Sequence, residues 1–183
     1  MDATGFRMIG LAATVLSFFV VVLIFKPEKN ERKYALIAGV VCALYDFTIE
    51  AVAKQVGAWF CYGGLQFLGL GVPLDMLVGF VFYGASVSII SDYPKLFRKW
   101  HLPTLNEKYD WIGAAVLVVI LPPIGAYGDF QSMNFGAWAP ASYWTFANTT
   151  FAWFTLLVIT VLSYRVMKRM DRKIIVEAIN NRN

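Results

Sequence analysis

The sequence predicts an all-α integral membrane protein with five transmembrane helices, its N-terminus outside and its C-terminus cytoplasmic. Three observations predict it. Of the 183 residues 58% are hydrophobic and the mean hydropathy is +0.58, more apolar than an ordinary soluble domain. Five apolar runs each approach the ~20 residues that cross a hydrocarbon core. The basic residues gather at alternate ends of those runs. The length fits a single domain, residues 1–183. The formal net charge of +4 sits between and after the spans, so it does not imply nucleic acid.

The first run, Gly5–Phe25, lacks a basic segment before it and a small-residue cleavage site after it, so it reads as a retained span rather than a signal peptide. The second, Tyr34–Lys54, is apolar and long enough to cross, yet carries Asp46 and Glu50. The third, Pro73–Ile90, opens with Pro-Leu-Asp, and a carboxylate in the first turn suits a helix N-terminus, which is one reading of Asp75. The fourth, Trp111–Tyr127, contains Pro122 and Pro123. Prolines there either kink the helix or free carbonyls that line a cavity. Asp129 follows at the end of this span, after Gly125 and Gly128, where a solvated turn would also suit it. The fifth is Thr145–Val166, and a basic tail, 167–183, follows as a helix leaving the membrane. Val166, Met170, Ile174 and Val176 give that tail a partial apolar stripe that suits a surface of anionic lipid heads.

Orientation follows from charge. Lys26, Lys29, Arg32 and Lys33 follow span one; Lys95, Arg98, Lys99 and Lys108 separate spans three and four; Arg165, Lys168, Arg169, Arg172, Lys173 and Arg182 follow span five. The other side carries Arg7 and Lys54 alone. The positive-inside rule then places the N-terminus outside, in a cytoplasmic (plasma) membrane.

Ionisable groups inside a span are costly and mark function by default. Asp46 and Glu50 are spaced i,i+4, so they share a helix face, and Lys54 continues the stripe. Asp46 lies about 20 Å above the cytoplasmic end of its helix at the α-helical rise, past the midplane. Two carboxylates this close in a low dielectric cannot both be ionised cheaply, and a neutral carboxyl group can donate a proton. A structural ladder, with Glu50 on Lys54 and Asp46 bonded to a neighbouring helix, is the competing reading. Asp75 and Asp129 also belong to the outer half, so Asp46, Glu50, Asp75 and Asp129 are the candidate catalytic acids of one outward cavity.

The outer loops, Gly57–Gly71 and Phe130–Trp144, are rich in aromatics and glycine rather than charge. Their Trp and Tyr are interfacial anchors on one reading. On another, Trp59, Tyr62, Trp138, Tyr143 and Trp144 surround a bound ligand, where π-faces stabilise a carbocation. Metal chemistry is not expected, since His101 is the sole histidine and no Cys/His cluster has zinc spacing. Cys42 falls in a span and Cys61 in a loop, so a disulfide framework is not expected either.

The two outer loops match each other. Glu50 precedes Gly57-Ala58-Trp59 by the interval at which Asp129 precedes Gly136-Ala137-Trp138, and in that register Phe67 meets Phe146. The match falls at the same point of two helix–loop–helix units of the same orientation, which is a parallel repeat. In the first unit the pattern continues through Tyr62 and a Gly-rich stretch to Val72-Pro73-Leu74-Asp75, then Phe80 and Phe82. This pattern resembles the repeat of the small integral-membrane lycopene cyclases and related carotenoid-biosynthesis membrane proteins, well over Tyr45–Tyr83 and in the first half of Tyr127–Phe154. That resemblance implies cyclisation of the ends of a C40 polyene within the bilayer, an isomerase reaction with acidic residues as proton donors. Glu50 stands where those proteins usually carry Asp, Asp75-Met76 where they carry two adjacent acids, and the second unit has Phe151-Ala152-Trp153-Phe154 in place of the Pro-Leu-acidic segment.

Three readings remain open. The first is an isoprenoid- or carotenoid-modifying enzyme in which Asp46 or Glu50 protonates a terminal alkene, Trp59, Tyr62 and Trp138 surround the cation, and Asp75 or Asp129 takes up the departing proton or positions water. It needs no protein-bound cofactor, and no GxGxxG or P-loop pattern is present. The second is a non-catalytic lipid-binding protein or subunit of a membrane complex, with Gly63, Gly64, Gly69, Gly71, Gly79 and Gly84 as helix-packing surfaces. The third is a proton- or cation-coupled transporter using Asp46, Glu50 and Lys54, although the inner halves of the spans offer no matching polar path. Five spans make a thin bundle, so a homo-oligomer or a membrane partner fits any of the three.

Overall fold

The structure, a computed structural model, describes residues 1–64, 72–93 and 110–180, with the side chains of residue 110 and of 172–180 left aside. The helices are α1 (Ala3–Phe25), α2 (Lys29–Gln55), α3 (Leu74–Ser91), α4 (Asp110–Ser132) and α5 (Phe146–Asn180). Five helices are long and apolar enough to cross a membrane. Lys95, Arg98, Lys99, His101 and Lys108, and the expected Phe67–Phe146 match, fall outside the described residues.

Helix ends account for most differences from the hydropathy boundaries. The Asp2 side chain caps α1 by accepting from Gly5 N–H at 2.8 Å. The polar turn Lys29–Lys33 is already helical, because Glu31 reaches back to the Glu28 N–H in a capping box. Helix α4 does not stop at Tyr127; it continues to Ser132 and tightens into a 3₁₀ turn, Met133–Phe135. Pro122 and Pro123 sit inside it and free the carbonyls of Val118 and Val119.

Helices α2 and α4 end alike. Gly57 N–H bonds to Lys54 C=O (3.2 Å) and Ala58 N–H to Ala53 C=O (2.8 Å); Gly136 N–H bonds to Met133 C=O (2.9 Å) and Ala137 N–H to Ser132 C=O (3.1 Å). Each pair is a Schellman motif. It demands a left-handed residue, and Gly57 and Gly136 supply φ of 68° and 66°. The chain then enters two short strands, β1 (Trp59–Cys61) and β2 (Trp138–Pro140), which pair antiparallel with Trp59 opposite Pro140 and Cys61 opposite Trp138. The flanking bonds obey the same register: Tyr62 N–H to Ala137 C=O, and Ala141 N–H to Ala58 C=O. The repeat read in the sequence is therefore a repeat of hydrogen bonds, and the two units meet strand to strand. Among the described residues the regular structure is helical save for this small sheet, which hydropathy gave no reason to expect.

Helix α3 is the hub, packing on α1, α2, α4 and α5. It approaches α2 so closely that a Cβ on Gly39 would collide with the Val81 carbonyl, and one on Gly84 with Cys42. Phe18 and Val21 of α1 join Ala35, Ala38, Ala85, Ile89 and Tyr164 in one apolar cluster. At the end away from the sheet, Lys168 pairs with Glu31 (3.1 Å) and with Asp92, which also accepts from Tyr164 O–H, so one lysine ties α5 to α2 and α3. The buried hydroxyls of Ser88, Ser91 and Thr160 donate to carbonyls of their own helices.

These contacts set a stability test. Gly39→Ala is expected to cost about 1–3 kcal/mol through overpacking against α3, read as a lower unfolding midpoint in detergent. Gly10→Ala, where an added Cβ meets nothing within 4 Å, is expected to leave that midpoint unchanged or raise it.

Candidate functional site

Three carboxyl groups converge just beneath the sheet. Asp46 and Glu50 come from one face of α2, as their spacing requires, and Asp129 from the last turns of α4. They line a chamber of about 40 Å³ together with four indoles, those of Trp59, Trp138, Trp144 and Trp153. A volume of that size holds about one water, whose share of liquid is ~30 Å³.

Two of the acids are held by indoles. Glu50 Oε2 accepts from Trp59 Nε1–H at 2.8 Å and from the Cys61 thiol at 3.0 Å. Asp129 Oδ2 accepts from Trp153 Nε1–H at 2.6 Å. Gly125 makes room for that indole: a Cβ there would strike its ring. In the register of the repeat Gly125 is the counterpart of Asp46, so the second unit gives up an acid and gains a tryptophan. Asp46 differs from both neighbours, because no hydrogen-bond donor among the described residues reaches its carboxyl group. Trp144 donates to Thr149 Oγ1 at 2.9 Å and lies against Trp59, ring centroids 4.6 Å apart.

Asp75 does not join the chamber. Its side chain, 6% exposed, faces Arg7 across 3.7 Å and lines an adjoining cleft of about 230 Å³. It sits in the first turn of α3 as its sequence position suggests, but its partner is a cation from α1 rather than the helix end alone. Arg7 also donates to the carbonyls of Tyr62 and Ala137 (2.9 Å for the latter), one in each loop. Arg7, one of the two basic residues assigned to the outer side, interacts electrostatically with all three acids.

Tyr62 and Tyr143 line neither the chamber nor the adjoining cleft. Strand alternation turns Trp59 and Cys61 inward, so Phe60 and Tyr62 point out, and Tyr62 is 49% exposed. Tyr143 occupies the turn closed by Trp144 N–H to Ala141 C=O and is 62% exposed. The Glu50–Lys54 ladder is replaced by the bonds from Trp59 and Cys61. Trp153 and Thr149, in the middle of an ordinary apolar run, carried no mark in the sequence; only tertiary packing brings them to the acids. Pro122 and Pro123 line neither the chamber nor the cleft.

Burial, and then the neighbouring Glu50 carboxyl group, push the Cys61 thiol well above its ordinary range. The thiol of the folded protein is thus expected to alkylate at least tenfold more slowly at pH 8.5 than that of the detergent-unfolded chain, followed by mass spectrometry of the Cys61 peptide. Raising the pH should speed the reaction only beyond the range where a free thiol has already ionised.

Arg7→Met leaves Asp75 buried without its cation and two loop carbonyls without their donor, an expected loss of about 3–5 kcal/mol. Arg7→Lys is expected to recover only part of the unfolding midpoint, because an ammonium lacks the planar fork that spans both carbonyls.

Comparison with protein families, with curated proteins and with solved structures returns no match to this chain, so the chemistry of the site is argued from its geometry.

Proposed function

We propose that this protein is a membrane-embedded enzyme that modifies the end of an isoprenoid or carotenoid polyene by acid-initiated cyclisation or hydration. The observation that carries this reading is the chamber itself, three carboxyl groups and four indoles with one guanidinium nearby. Indole faces are the protein surface best suited to a developing carbocation.

In this mechanism Asp46 is the proton donor, since its carboxyl group faces the chamber unencumbered while Glu50 and Asp129 each already accept from an indole. The proton adds to one carbon of the terminal alkene, whose π pair forms the new C–H bond, and the other carbon becomes a tertiary cation. In cyclisation a neighbouring double bond supplies its π pair to form the ring C–C bond, and a proton then leaves the adjacent carbon for the Asp129 carboxylate. In hydration a water oxygen adds to the cation and its surplus proton goes to that same carboxylate. Trp59, Trp138, Trp144 and Trp153 shield the cation from competing nucleophiles. The positive-inside distribution supports an outward-facing sheet and chamber in a plasma membrane. The resemblance to the membrane lycopene cyclases supports the choice of polyene.

A non-catalytic, lipid-binding membrane subunit is the second reading, and the Asp129–Trp153 bond favours it, because a carboxylate bound to an indole on the next helix also serves as a brace. Transport gains nothing, since the hydroxyls buried in the inner half are spent on their own helices.

Mass spectrometry of apolar extracts from cells supplying lycopene separates the two. A product of equal mass, or heavier by one water, is expected with the wild type, and Asp46→Asn should lower its formation by roughly 10²–10⁴-fold, the usual weight of a general acid. No product from a folded, membrane-inserted wild type sinks the enzyme reading.

A further inference from the structure

The chamber is too small for what it is asked to process. Ligand pockets run roughly 300–1,000 Å³, and about 40 Å³ between the acids holds at most part of a chain end. The neighbouring cleft of about 230 Å³ shares Met76, Phe80, Asp129 and Trp153 with the chamber as a common wall. One side of the cleft is α1, from Phe6 to Thr14, and its floor is α3. Little of α1 is buried within the molecule, so the cleft opens on a flank that lipid covers in a membrane.

Resting on the isoprenoid reading above, we propose that this cleft between α1 and α3 is a binding channel for the apolar chain of the polyene, which reaches the acids laterally from the bilayer past Trp153 and Phe80. The polar groups of the cleft are turned away from its space: Asp75 Oδ1 has no hydrogen-bond partner among the described residues but is buried, facing Gly64. Arg7 and Asp75 face each other, and the Thr14 hydroxyl donates to carbonyls of its own helix. What faces a ligand is mainly apolar, with Phe6, Leu11, Met76 and Phe80 as its surface. A polar substrate would forfeit its hydrogen bonds there; a hydrocarbon forfeits none. Asp129 is the one carboxyl group that lines both spaces, so a chain end passing the common wall meets it first and Asp46 beyond it.

Two glycines allow a test that leaves the packing alone. A side chain built on Gly10 meets nothing within 4 Å and projects from a residue lining the cleft. Gly128 is equally open but lines neither space. The wild type, Gly10→Phe, Gly128→Phe and Asp46→Asn are each purified from lycopene-producing cells, and retained polyene and product are measured by mass spectrometry. Gly10→Phe should lose polyene and product at least tenfold, Gly128→Phe should match the wild type, and Asp46→Asn should retain polyene without forming product. Should Gly10→Phe fail to insert or fold, Leu11→Trp obstructs the same channel and takes its place. Full retention and turnover in an obstructed variant overturn the channel while sparing the enzyme reading. Phospholipid in place of polyene in both wild type and Gly128→Phe overturns the polyene as occupant. Neither polyene nor product in wild type and Asp46→Asn brings down the enzyme reading and the channel with it.

Discussion

The guanidinium of Arg7 touches three segments at once: the carbonyl that follows β1, the carbonyl that precedes β2, and the carboxylate that opens α3. Beyond it, α1 meets the sheet end through the stacked rings of Phe6 and Phe135 and through Thr4, whose hydroxyl accepts from Gly64 N–H. A buried arginine is costly unless its charge and its N–H groups are all answered, and here a carboxylate answers the charge and two backbone carbonyls answer the fork. The outcome is that one side chain from the first helix fixes both loops relative to α3. The walls of chamber and cleft inherit their positions from it.

On that frame the two halves of the molecule are alike in backbone and unlike in chemistry. Both helix ends use the same Schellman motif, both strands use the same register, and both units place an acid at the same point before a Gly-Ala-Trp triplet. The side chains then diverge. Glu50 is served by the tryptophan of its own triplet, whereas Asp129 is served by Trp153 from α5. Trp138 meanwhile packs edge-on against Phe130. The substitution of Gly125 for the acid expected opposite Asp46 is what lets Trp153 in. A symmetric scaffold has thus produced an asymmetric site, in which Asp46 alone of the three acids is reached by no hydrogen-bond donor among the described residues.

Much of this was legible before any coordinates. The five spans follow from hydropathy, and Asp46, Glu50 and Asp129 stand out because charge in an apolar run is expensive. Trp59 and Trp138 follow from the repeat. What was not legible depends on which side chain a fold turns toward which neighbour. Arg7 near the start of an apolar run has no local signature of a buried clamp. Trp153 is one aromatic among several in span five. The outward side of Tyr62 was not legible, because nothing in a chain of helices suggested the two-residue period of a strand, and Cys61, one residue earlier, takes the inward place. Asp75 could be assigned to a helix start from sequence, but its cation lies far away along the chain.

The sheet also bears on how the molecule is made. Its two strands belong to different units, and β1 leaves the ribosome long before β2. Until the second unit is inserted, the Tyr62 amide and the Ala58 carbonyl have no partner at the membrane boundary, and the first unit has a free strand edge. The closing of that edge therefore waits for the second unit, so each unit satisfies backbone groups of the other.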